Sequence, residues 1–63
     1  MVNAQDYVGL SKKSAQNLSE KQGLIFRLIK VDNEEYFTYP EDKRDDRICV
    51  EIESNKVIKA SIQ

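Results

Sequence analysis

Apolar positions gather into a few short runs, and their phase predicts the elements. Residues 24–31 are β-branched, aromatic and apolar on both faces except at Arg27 and Lys30, which suits a central strand covered on at least one side. Asp32-Asn33 ends that run with turn chemistry. Residues 47–53 alternate instead, with Ile48, Val50 and Ile52 on one face and Arg47, Cys49, Glu51 and Glu53 on the other, the pattern of a half-buried strand. Ser54-Asn55 then turns the chain into residues 56–62, so these last two strands pair as an antiparallel hairpin. Upstream, Ser11 is a helix N-cap with Leu10 at the staple position before it, and a helix is expected over residues 12–22. Its apolar stripe is narrow, Ala15 and Leu18 with Gln22 one turn on, and Gly23 closes it where a left-handed residue is needed.

Between the two apolar runs lies a polar and aromatic stretch, residues 33–46, with no obvious core role. It has one proline and no glycine, so it reads as an exposed but stiff loop, because proline fixes its own φ and restricts the residue before it. Its length allows the flanking strands to lie parallel, which takes a crossover of about a dozen residues or more. Such a crossover is normally helical, but Pro40, the aromatic residues Tyr36, Phe37 and Tyr39, and the lack of apolar periodicity argue for an extended loop across one edge of the sheet. The expected fold is therefore α+β. One helix packs on a small mixed sheet, a long exposed loop joins two parallel strands, and an antiparallel hairpin follows, all in one domain over residues 1–63. A loop this long in so small a domain is usually functional or disordered, and the reading taken is that the rest is a scaffold that presents it.

Composition narrows the function. With 63 residues, 40% hydrophobic and 33% charged, the chain is a single globular unit whose core supplies about 3–5 kcal/mol. Ten Lys and Arg against eleven Asp and Glu give no electrostatic case for nucleic acid or an anionic membrane. No run approaches the ~18 apolar residues of a membrane span. The N-terminal Met1-Val2-Asn3-Ala4-Gln5 lacks a secretory pattern, so the protein is expected either inside the cell or after removal of a signal. Cys49 has no cysteine partner, and with no histidine, glycine-rich phosphate loop, GxSxG or zinc pattern, neither catalysis nor a cofactor or metal is expected.

From Tyr7 to Ile62 the chain resembles the potato inhibitor I family of eglin-like and barley chymotrypsin inhibitor-like proteins and its small bacterial relatives. The resemblance rests on Val8-Gly9-Leu10-Ser11 opening the helix, Gly23 after it, an apolar strand, a long loop, and then Asp42-Lys43-Arg44-Asp45-Asp46-Arg47-Ile48-Cys49-Val50. That last segment is similar to the family pattern of an acidic residue after the scissile bond, an arginine two further on, and a second arginine opening the next strand. The resemblance implies a wedge-shaped inhibitor whose loop, residues Thr38, Tyr39, Pro40, Glu41, Asp42, Lys43 and Arg44, lies in a serine protease cleft as a slowly cleaved substrate. It also implies that Arg47 supports the loop with Asp42 as its partner, that Arg44 is a second basic residue near the loop base, and that a further core-side support falls at Cys49. Aligned without a gap, Glu41 is the specificity residue and Glu41–Asp42 the reactive bond, which suits a glutamyl-specific protease. Aligned on Thr38, Tyr39 takes that place with Pro40-Glu41 inserted, which suits chymotrypsin-like or subtilisin-like pockets, although a proline directly after Tyr39 fits such a cleft poorly.

Plainer readings stand beside these. Arg44 and Arg47 among Asp42, Asp45 and Asp46 also make an ordinary solvated charge cluster; Phe37 is expected to pack on the core; Cys49 reads as a small strand residue; Glu34-Glu35 and Glu51 with Glu53 read as surface charges. The leading expectation is a serine protease inhibitor, monomeric or weakly self-associating. The alternative is a non-inhibitory interaction module of the same fold that self-associates through a strand edge.

Overall fold

The computed structural model describes residues 2–63; Met1, which opens the N-terminal stretch read above, lies outside them. The elements in order are a 3-10 turn Ala4–Tyr7, helix α1 Lys12–Lys21, and strands β1 Ile25–Val31, β2 Glu34–Glu35, β3 Arg47–Glu53 and β4 Lys56–Ile62. The strands form one mixed sheet in the order β2-β1-β3-β4, with β1 parallel to β3 and β3 antiparallel to β4. The fold is thus α+β, one helix on a mixed sheet whose parallel strands are joined by the long loop.

Local chemistry sets the boundaries. Ser11 caps α1 by accepting a hydrogen bond from the Ser14 N–H at 3.2 Å. At the other end Gly23 has φ of +72°, with its N–H bonded to the Glu20 carbonyl and the Leu24 N–H reaching back to Ser19. That is the Schellman arrangement, which uses carbonyls the helix leaves unpaired. Both hairpins turn on two-residue loops with positive φ, Asp32 at +48° and Asn33 at +72°, Ser54 at +52° and Asn55 at +63°. This hand matches the twist of the strands they join. The first hairpin creates β2, which the sequence reading left inside the loop; the irregular segment is therefore residues 36–46 rather than 33–46.

The core lies between α1, the N-terminal segment and one face of the sheet: Tyr7, Ala15, Ile48, Val50, Ile52 and Val57 are buried, with Leu10, Leu18, Phe26 and Leu28 packed against them. Tyr7 had no sequence-level assignment, yet it is fully enclosed, and its hydroxyl donates to Gln22 Oε1 at 2.7 Å. Gly9 and Leu10 bond to both main-chain groups of Val57 and so cover the outer edge of β4 at that point.

The sequence pattern of β3 predicts one wet face, and the structure corrects this. Arg47 and Cys49 are buried along with the Ile48 and Val50 that alternate with them, so β3 is covered on both sides over its first half. The loop provides this cover, together with the Gln63 main chain, which meets Arg47 and Cys49. The loop crosses the sheet face opposite α1 rather than the sheet edge, and its side chains meet Arg27, Arg47 and Glu51 there. Period-two alternation reports only which side a residue points to, and a distant segment folding over that side leaves no mark in the pattern.

Candidate functional site

The loop starts from a fixed point. A β-bulge in β1 falls between Leu28 and Lys30, and the Ile29 carbonyl accepts from both the Tyr36 N–H at 2.9 Å and the Phe37 N–H at 3.2 Å. Phe37 was expected in the core, but it is 56% exposed. It lies on the charged face of the sheet, where its ring meets the Arg27 guanidinium at 5.1 Å. That stacking suits Arg27, whose buried Nε has no hydrogen-bond partner among the described residues.

Tyr39 turns inward. Its hydroxyl donates to Glu51 Oε2 at 2.5 Å, and Lys59 Nζ lies 5.6 Å from the ring centroid and 3.9 Å from the same Glu51 oxygen. Burial, followed by the Glu51 hydrogen bond and charge, holds the phenol well above its ordinary pKa. Thr38 is exposed and, with Ile29, Lys30, Phe37, Tyr39 and Glu51, helps line an open cleft of about 300 Å³. Pro40 is half-buried, and Glu41, Asp42, Lys43 and Arg44 are exposed.

Beneath the exposed stretch lies Arg47, whose side chain is 10% exposed. Its Nη2 donates to the main-chain oxygen of Asp42 at 3.0 Å and to Asp42 Oδ1 at 3.2 Å. Its Nε donates to the main-chain oxygen of Gln63 at 2.8 Å, so one guanidinium ties the loop to the end of β4. The Arg47 hydrogen bond, with its charge, lowers the Asp42 carboxyl pKa. Arg44 takes a different partner: its Nε and Nη2 meet Asp46 Oδ1 and Oδ2 at 2.7 and 2.8 Å, a bidentate pair at the loop base. That pair lowers the Asp46 pKa. The surroundings therefore bring Arg47 and Asp42 together, while Arg44 meets Asp46 and not Asp42.

Cys49 sits on β3 between Arg47 and Glu51 and is fully enclosed. Burial pushes its thiol pKa up, partly offset by the charges of Arg47 and Arg27. It offers the loop no ion pair at the position where the resemblance put a support. Two residues further along the same face, Glu51 reaches the loop through Tyr39, a contact between side chains twelve positions apart that no local pattern signals. Gln63 is likewise invisible to sequence reading, since it acts through a main-chain oxygen.

Among the described residues no helix is long and apolar enough to cross a membrane, and no cluster of three His, Cys, Asp or Glu could hold a metal ion. The site as a whole is a largely exposed segment, bent at Glu41-Asp42 and tied to a sheet on both sides of Glu41, and comparisons with protein families, curated proteins and solved structures find no match for the chain.

Proposed function

We propose that the protein inhibits a serine protease by presenting residues 38–44 as a substrate-like loop, in the manner of the potato inhibitor I family it resembles, with Glu41–Asp42 as the reactive bond. The observation that carries this reading is the tie from Arg47 to Asp42 directly after an exposed Glu41. A loop already held in its bound shape loses little conformational entropy on docking, so contact energy goes into affinity. The same tie favours slow turnover. After hydrolysis Asp42 would carry the new amino terminus, and Arg47 would hold it near the acyl group, so religation competes with release.

Tyr39 fits the specificity role less well than Glu41. Its side chain is engaged with Glu51, and entering a protease pocket would break that hydrogen bond. Glu41 points the choice of partner toward a protease whose primary pocket is basic. The non-inhibitory module remains the second reading, favoured by the adjacent exposed aromatics Tyr36 and Phe37, 52% and 56% accessible.

The test is titration of a glutamyl endopeptidase, chymotrypsin and subtilisin with the protein, followed by mass analysis of any nicked product. The expected result is stoichiometric inhibition of the glutamyl enzyme with a slow cut after Glu41. Rapid cleavage in the loop, or full activity of all three enzymes, overturns inhibition. A slow inhibitory cut after Tyr39 would retain inhibition but reassign the reactive bond.

A further inference from the structure

We propose that Tyr39, Glu51 and Lys59 form a second anchor of the loop, on the N-terminal side of Glu41, which positions Glu41 by holding the limb between Tyr39 and Asp42 against the sheet. Its consequence for a protease rests on the inhibitory reading above; the anchor itself does not.

The geometry is a pair of ties over one strand. Arg47 and Glu51 lie on the same face of β3, and the loop meets them in reverse order, Tyr39 at Glu51 and Asp42 at Arg47. This limb therefore runs opposite to β3. A limb tied at both ends to one strand cannot swing away from the sheet, and Pro40 within it has a fixed φ. Glu41, which sits in a bend between the two ties, is left with little freedom.

Glu51 is itself held. Lys59 stands directly opposite it in the β3–β4 register, with the ammonium 3.9 Å from Glu51 Oε2 and 5.6 Å from the Tyr39 ring centroid. The cation stands beside the carboxylate that accepts from Tyr39 and over the ring face. With the phenol pKa raised, Tyr39 stays a donor at neutral pH. Glu51 thus provides from two residues further along β3 the tie that buried Cys49 does not. Tyr39 is in this sense a positioning residue: it acts on Glu41 through the backbone.

Tyr39→Phe separates the tie from simple coverage, since it keeps the ring and removes only the hydroxyl. The full-length protein and its Tyr39→Phe and Glu51→Ala variants would be compared by ¹⁵N relaxation at the Glu41, Asp42 and Lys43 amides, by the rate of cutting with a glutamyl endopeptidase, and by urea unfolding. The expected result is a fall in order parameter from about 0.85 toward 0.6. Cutting after Glu41 should rise roughly tenfold with little change in the urea midpoint, and the double variant should be no worse than either single one. Glu51→Gln, which keeps an acceptor oxygen, should restore much of the order lost in Glu51→Ala. Unchanged order parameters and cutting rate in Tyr39→Phe overturn the anchor, as does a loss of global stability that accounts for the faster cutting. If the unmodified protein fails to inhibit while Tyr39→Phe still loosens the limb, the anchor stands and the inhibitory reading falls.

Discussion

Arg47 joins three parts of the chain that are distant in sequence: it opens β3, braces Asp42 in the loop and holds the Gln63 main chain beyond β4. Truncating a nearly buried guanidinium leaves those oxygens without their donor, a loss of about 1.5–3 kcal/mol for charged hydrogen bonds. Arg47→Ala should lower the urea midpoint accordingly. If the contact is chiefly a loop brace, cutting after Glu41 should rise by a larger factor than the unfolding equilibrium constant; equal factors would show that cutting proceeds through global unfolding. The acidic partner gives an independent check through its titration. Asp42 has a folded pKa below its unfolded one, so the brace is complete above the ordinary carboxylate range and is lost as pH falls through the depressed folded value. An NMR titration of the Asp42 carboxyl carbon should therefore show a midpoint below about 3.9, the ordinary aspartate value, that moves upward in Arg47→Ala. A midpoint indifferent to that substitution would remove Arg47 as the cause.

At the scale of elements, backbone hand decides where helix and strands stop. Gly23 has φ of +72°, and a Cβ there would meet no atom within 4 Å, so the cost of Gly23→Ala is conformational rather than steric crowding by neighbours. The expected loss is about 1–2 kcal/mol in urea unfolding, the penalty for an L-residue in the left-handed region. A change near zero would mean that the Schellman ending rearranges without cost. Such endings are why α1, β3 and β4 were legible in the sequence: Ser11, Gly23 and Ser54-Asn55 act within a few residues of themselves, and the alternation of residues 47–53 runs the full length of the strand. The two-residue β2 was missed although Asp32-Asn33 carried the signal, because Glu34-Glu35 has no apolar pattern to pair with that turn. The contact between Asp42 and Arg47 is one that the resemblance of a short segment to the inhibitor family implies, and the structure shows it. Tyr39 with Glu51, and the burial of Tyr7 and Cys49, depend on segments meeting across the fold, and neither propensity nor period encodes that.

For the whole molecule, order should be graded rather than uniform. The ladder between β1 and β3 and the ladder between β3 and β4 converge on Ile48, Val50 and Ile52, and these same side chains fill the core beneath α1. Their amides open only when the sheet comes apart, which in a domain of this size is close to global unfolding. Beyond the main-chain tie of Tyr36 and Phe37 to Ile29, the loop is held otherwise, by side chains reaching up from the sheet to Tyr39 and Asp42, so the residues between and after them can be released while the ladders stay intact. Hydrogen exchange should therefore show Ile48, Val50 and Ile52 exchanging far more slowly than residues 41–44, with the slow amides tracking the stability measured in urea. In Tyr39→Phe the slow set should keep its rates while the limb loosens. Arg47→Ala should move both, because Arg47 also secures the end of β4 to the start of β3. Slow amides that respond equally to both substitutions would mean that loop and sheet are a single cooperative unit, with no separately releasable segment for a protease to engage.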